Sequence, residues 1–246
     1  MKSLFKINYF TYIFLLLSML SGYMREMFLV FIILVVHEMG HFFLMRINNI
    51  KVDSIIIYPY GGMIKSNMLI NTNSYKVLII SLGGIFIQLL LWLIFFLFYK
   101  FNFIGESIYF IFFKYNISIM LFNLIPVYPL DGFKILNSLL ELKFSFKKCI
   151  IISLIISIIV LILFIFYLYI FRVSNYIIVL FLLVSFFSYL KELKYLFNKF
   201  YIERVLYDIN YSGLISVDKV GKMYKNKYNY IGSIDEKSFL SDMFYN

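Results

Sequence analysis

The sequence predicts an all-α polytopic membrane protein of about six transmembrane helices, followed by a small α/β tail. Three observations predict it. The chain is 63% hydrophobic and 22% aromatic, against roughly 45–50% apolar in ordinary soluble domains. The apolar residues gather in long runs, and a spanning helix needs about 20 of them. From Lys191 onward the composition changes to a charged, mixed segment.

Six runs fit the spanning length: 4–21, 27–45, 77–99, 108–127, 150–171 and 174–190. The first follows Lys2 and Lys6, as in a signal peptide. Its end offers no small-x-small cleavage site, so an uncleaved first helix is expected. The breaks are Ser21–Arg25, the polar stretch 46–76, Lys100–Ser107, Pro129–Lys148 and Arg172–Asn175. Alanine is absent, so close helix approach must use Gly and Ser. The single cysteine, Cys149, excludes an internal disulfide and a cysteine-based metal cluster, and reads as a core residue.

Lys and Arg in the short loops set the orientation. With the N-terminus inside, inner loops hold Arg46, Lys51, Lys65, Lys76, Lys134, Lys143, Lys147 and Lys148. The outer loops hold only Arg25, Lys100 and Arg172. Both termini are therefore expected in the cytoplasm. This bias and anionic lipid headgroups account for the net charge of +10. The basic residues are scattered rather than gathered in a stripe, which argues against a nucleic-acid partner. Lys114, in mid-helix, reads as a snorkelling side chain.

Residues 1–190 form the predicted membrane domain and 191–246 the tail. The tail opens with a charged linking helix. It continues as strand (Leu214–Val217), helix (Lys219–Lys225), strand (Tyr228–Ile231) and helix (Glu236–Phe244).

His37 and His41 are the only histidines in the chain, and both lie inside an apolar run, in Val36-His37-Glu38-Met39-Gly40-His41. Positions i and i+4 share a helix face, so both imidazoles can reach one ion. This is the H-E-x-x-H arrangement: two zinc ligands and a general base, Glu38. Ionisable groups inside a membrane span are rare and usually functional, which favours a metal over two hydrogen-bonded interior histidines. Zinc takes a third protein ligand and leaves a position for water. At about 1.5 Å per residue the histidines lie some 8–14 Å from the inner helix end, too far from Glu26 and Glu106. Asp53, in a polar loop, and Asp131 remain. Asp131 follows Pro126 and Pro129, which must break a helix at membrane depth, and irregular backbone there lines protein or a water-filled cavity. Asp131 is therefore favoured over Asp53.

His37-Glu38-Met39-Gly40-His41 on one helix, with Asn123-Leu-Ile-Pro126-Val-Tyr-Pro129-Leu-Asp131-Gly132 on a later one, resembles the site-2 protease family of intramembrane zinc metalloproteases. The resemblance covers residues 27 to about 135. It implies His37, His41 and Asp131 as Zn2+ ligands, Glu38 as the base, and Asn123 near substrate or oxyanion. Tyr58-Pro59-Tyr60-Gly61-Gly62 falls where the family has a re-entrant β-hairpin. Gly61 and Gly62 would let an extended substrate approach its edge. Ser81-Leu82-Gly83-Gly84 resembles a small-residue motif of the family. Gln88 stands near where the family often has asparagine, and helix packing is its expected role.

The compact size and small C-terminal domain resemble the sporulation branch of the family. That branch implies a pro-sigma-factor substrate, inhibitory membrane partners, and a tail that is a reduced form of the nucleotide-binding CBS domain. It also implies a bacterial cell membrane, or the membrane engulfing a forespore. The expected reaction is hydrolysis of a peptide bond in a membrane-associated precursor by zinc-activated water with Glu38 as general base. Two other classes fit buried histidines: a non-catalytic scaffold that keeps a metal, and an ion transporter. A transporter would carry more ionisable groups along a route than this one compact cluster.

Overall fold

The computed structural model describes residues 5–58, 61–170 and 176–245. Lys2, Pro59-Tyr60 of the expected re-entrant segment and the expected break Arg172–Asn175 lie outside the described residues. Among those described, four helices are long and apolar enough to cross a membrane: α2 (Met24–Ile47), α3 (Ser74–Lys100), α4 (Glu106–Leu124) and α6, whose span is Phe146–Leu168. The expected count of six is not reached among them. Residues 5–7 form a strand, β1 (Phe5–Ile7), and not the start of a helix, so α1 (Tyr9–Leu20) has 12 residues. At about 1.5 Å each it is too short for a hydrocarbon core of about 30 Å. The sixth predicted run merges with the linking helix into one element of 31 residues, α7 (Tyr176–Leu206). Lys191 and Glu192 change the composition there without breaking helical hydrogen bonding.

The described residues are mostly helical, with two three-stranded sheets, one built on the expected hairpin and one in the expected α/β tail. The chain divides into two compact units, Met1–Met68 with Ile79–Asn123, and Leu69–Leu78 with Leu124–Asn246.

In the first unit, β2 (Val52–Tyr58) and β3 (Gly61–Ser66) pair antiparallel, as the hairpin reading expects. β1 adds parallel to β2, giving the order β1-β2-β3 and leaving β3 at an edge. Leu29, Ile33, His37, His41 and Met45, spaced by four, form one buried stripe along α2. Its N-terminal end packs with Phe112, Leu91 and Phe95, where the Phe95 and Phe112 rings stack at 3.7 Å. Its C-terminal end packs with Val52, Ile55 and Ile80. The histidines therefore sit between two apolar clusters. Gly40 and Gly83 let α2 and α3 approach closely, because a Cβ on Gly40 would lie 2.3 Å from the Gly83 carbonyl oxygen.

In the second unit, helix α4 has ended at Leu124, ahead of Pro126, as the proline requires. Ser157 on α6 donates to the Pro126 carbonyl at 2.8 Å, satisfying backbone that the break exposes. The next helix, α5 (Asp131–Glu141), begins at Asp131. In the tail, β4 (Leu214–Val217) and β5 (Tyr228–Ile231) have the predicted bounds and pair parallel. The predicted helix 219–225 is a single 3-10 turn, Val220–Lys222. A two-residue strand, β6 (Ile234–Asp235), precedes α8 (Glu236–Tyr245). Arg204, fully buried at the end of α7, pairs with buried Glu236 at 2.8 Å and donates to Asn71 and to the carbonyls of Lys225 and Lys227. Glu141 accepts from Ser74 and from Lys225. These buried, saturated pairs fix the tail within its unit.

Candidate metal centre

The helix of His37 and His41 forms within an apolar run whose side chains pack on both sides of them. His37 is 2% and His41 6% exposed, with Glu38 beside them at 8%. Each ring is held from behind. His41 Nδ1 lies 2.7 Å from the Ile80 carbonyl oxygen. A carbonyl only accepts, so Nδ1 carries the proton. His37 Nδ1 lies 3.0 Å from Gln88 Oε1, again an acceptor. Both rings consequently turn their Nε2 lone pairs inward, and the two Nε2 atoms stand 3.2 Å apart. Two Nε2 lone pairs converging at that distance suit a shared cation. Two nitrogens bound at about 2.0–2.1 Å to one tetrahedral zinc stand about 3.3 Å apart. The donor pair fits such an ion.

The edge strand supplies the next contact. The Gly62 amide donates to Glu38 Oε1 at 3.1 Å. Glycine is required there, since a Cβ would lie 2.3 Å from Glu38 Cγ. Gly84 is required for a similar reason: a Cβ would come within 2.4 Å of His37 Cε1. The predicted residues His37, Glu38, His41 and Gly62 are thus brought together within the first unit. Gly61 precedes Gly62 in β3, paired to Tyr58. Asn123 ends the unit, its amide donating to Ile119 O of its own helix. Asp53 is exposed in β2, beside a register shift.

Asp131 belongs to the second unit, as the first residue of α5. It is 5% exposed, and the Lys134 ammonium lies 2.9 Å from Oδ1. The fold around it is tight, because a Cβ on the next residue, Gly132, would lie 2.2 Å from the Leu124 carbonyl oxygen.

Gln88 corrects the expectation of plain helix packing. It is fully buried and bonded to His37. Asn116, which the sequence reading passed over, is bonded to Gln88. The signal available was an amide in the apolar middle of each of two helices, Gln88 in α3 and Asn116 in α4.

Residues 26–105 and 102–166 match the family model of Peptidase family M50, more than half of the chain. The chain belongs to peptidase family M50. This M50 peptidase is similar to stage IV sporulation protein FB of Bacillus subtilis, with 25% identity over 202 residues, covering 79% of this chain and 69% of that protein. It is also similar to a zinc metalloprotease of Methanocaldococcus jannaschii, with 28% identity over 120 residues. That match covers 49% of this chain and 35% of the relative. Its fold is similar to that of the site-2 protease from M. jannaschii, with a TM-score of 0.55 at 23% identity, over 74% of this chain and 87% of that one. The M50 peptidase is a multi-pass membrane metalloprotease of the site-2 type.

Proposed function

We propose that this M50 peptidase hydrolyses a peptide bond in a membrane-associated protein precursor, with zinc held by His37, His41 and Asp131 and with Glu38 as general base. One observation carries the reading: two buried imidazoles, each with Nδ1 spent on an acceptor, aim Nε2 at a common point beside a glutamate. Asp131 supplies the remaining donor by its chemistry: it is a buried carboxylate that could hold a metal together with His37 and His41, and Lys134 engages its Oδ1. Asp53, exposed, is the weaker choice.

When bound, zinc supplies a Lewis acid and brings the pKa of a water from 15.7 down towards about 7. The protein does the rest. The Gly62 amide holds Glu38 by one oxygen, orienting the carboxylate to take the proton of the attacking water and deliver it to the leaving nitrogen. Asn123 steadies substrate or oxyanion. An extended segment laid along the β3 edge at Gly61 and Gly62 passes Glu38, and strand pairing supplies main-chain hydrogen bonds. Both chain ends face the cytoplasm by the distribution of Lys and Arg.

The likeness to stage IV sporulation protein FB supports a sporulation role: a pro-sigma factor as substrate, inhibitory membrane proteins as partners, and a membrane engulfing the forespore as location. Residues 1–190 form the protease domain, and 191–246 a linker and reduced CBS-like cap. The test is Glu38→Gln. The variant should retain zinc and lose cleavage of a co-expressed precursor. Cleavage at the wild-type rate would leave a scaffold or a transporter as the explanation of the centre.

A further inference from the structure

Gln88 and Asn116 are amides in the middle of two apolar helices, 0% and 2% exposed. Buried polar groups are costly unless paired, and here the pairing has a fixed direction. Asn116 Nδ2 donates to the Gln88 backbone oxygen at 3.3 Å. A backbone oxygen can only accept, so the Asn116 amide cannot be reversed. Its Oδ1 therefore faces Gln88 and accepts from Gln88 Nε2 at 3.4 Å. Gln88 in turn points Oε1 at His37 Nδ1, 3.0 Å away. An oxygen there requires the proton on Nδ1, and the Nε2 lone pair is then directed at His41 Nε2. A reversed Gln88 would present its NH2 group to Nδ1. That would force the ring proton onto Nε2 and remove His37 as a ligand. His41 needs no such device, because its partner is the Ile80 carbonyl, whose polarity is fixed.

We infer that Gln88 and Asn116 are positioning residues, a polarity relay that starts from a backbone carbonyl on α3, returns through α4, and commits His37 to its metal-binding tautomer. The inference rests on the zinc centre proposed above. The partner of the distal ring nitrogen sets which nitrogen can bind metal, and loss of such a partner typically weakens binding 10–100-fold.

The experiment uses the full chain in detergent and competition of zinc with a chelator. Gln88→Leu should raise the zinc dissociation constant about 10–100-fold. Gln88→Glu, which keeps an oxygen facing Nδ1, should stay within about threefold of wild type, since a carboxylate serves this role in many zinc sites. In the zinc-free chain, the 15N spectrum of His37 should report the Nδ1–H tautomer in wild type and a mixture in Asn116→Leu. The inference is overturned if Gln88→Leu binds zinc as tightly as wild type, or if Gln88→Glu is weakened equally. An unchanged His37 tautomer in Asn116→Leu overturns it too. If Gln88→Leu fails to fold, the Asn116→Leu tautomer decides. Absence of zinc binding by the wild-type chain would sink the metal centre alone, and the tautomer comparison would still judge the relay.

Discussion

The Gly62 amide donates to Glu38 Oε1 at 3.1 Å, and no larger residue fits at position 62, because its Cβ would meet the Glu38 side chain. An edge strand and a candidate general base are thereby joined by one hydrogen bond. Gly62→Ala should push the carboxylate out of register while leaving both histidines in place. A displacement of about 1 Å can cost about 10²-fold in rate. We expect a loss of that order in kcat on a membrane precursor, with bound zinc unchanged.

Gly84→Ala tests the opposite split. Its Cβ would stand 2.4 Å from His37 Cε1, so the ring must move. Zinc affinity, measured by chelator competition, should fall about 10–100-fold, as for loss of a ligand's support. Unchanged affinity would mean that α3 shifts and the ring does not.

The choice of third ligand is tested by comparing bound zinc in Asp131→Asn and Asp53→Asn. Loss is expected in the first alone. Asp53 is exposed in β2, so its change should leave zinc content and stability close to wild type. Loss confined to Asp53→Asn would reverse the assignment.

The tail offers a prediction about stability. Arg204 and Glu236 are both fully buried and paired. Removing one partner of such a pair costs about 3–5 kcal/mol, because the other is left as an uncompensated charge. Arg204→Met should therefore speed amide exchange in β4, β5 and α8. Adding Glu236→Gln, which removes the stranded charge yet can still accept from Asn229, should recover much of the protection. Equal exchange in the single variant and wild type would contradict this account.

Much of this architecture was legible in the sequence, for physical reasons that differ between elements. The tail strands Leu214–Val217 and Tyr228–Ile231 could be bounded because turn-forming residues flank each one. The pairing of His37 with His41 followed from spacing alone, since i and i+4 must share a helix face. β1 was not legible: it is three residues long and its partner lies some 50 positions away. The length of α7 was missed because a change from apolar to charged composition does not end a helix. Gln88 and Asn116 were visible as polar residues in oily helices. Which side chain each would face depends on helix rotation, which sequence periodicity in an apolar run does not encode.

The central claim is a metal held between His37 and His41. It is tested most directly by counting metal ions in the detergent-solubilised full chain, wild type beside His41→Ala. The account predicts a single zinc per wild-type chain and almost none in the variant. Equal metal content in the two proteins, or a wild-type chain that carries no stoichiometric metal, would contradict it.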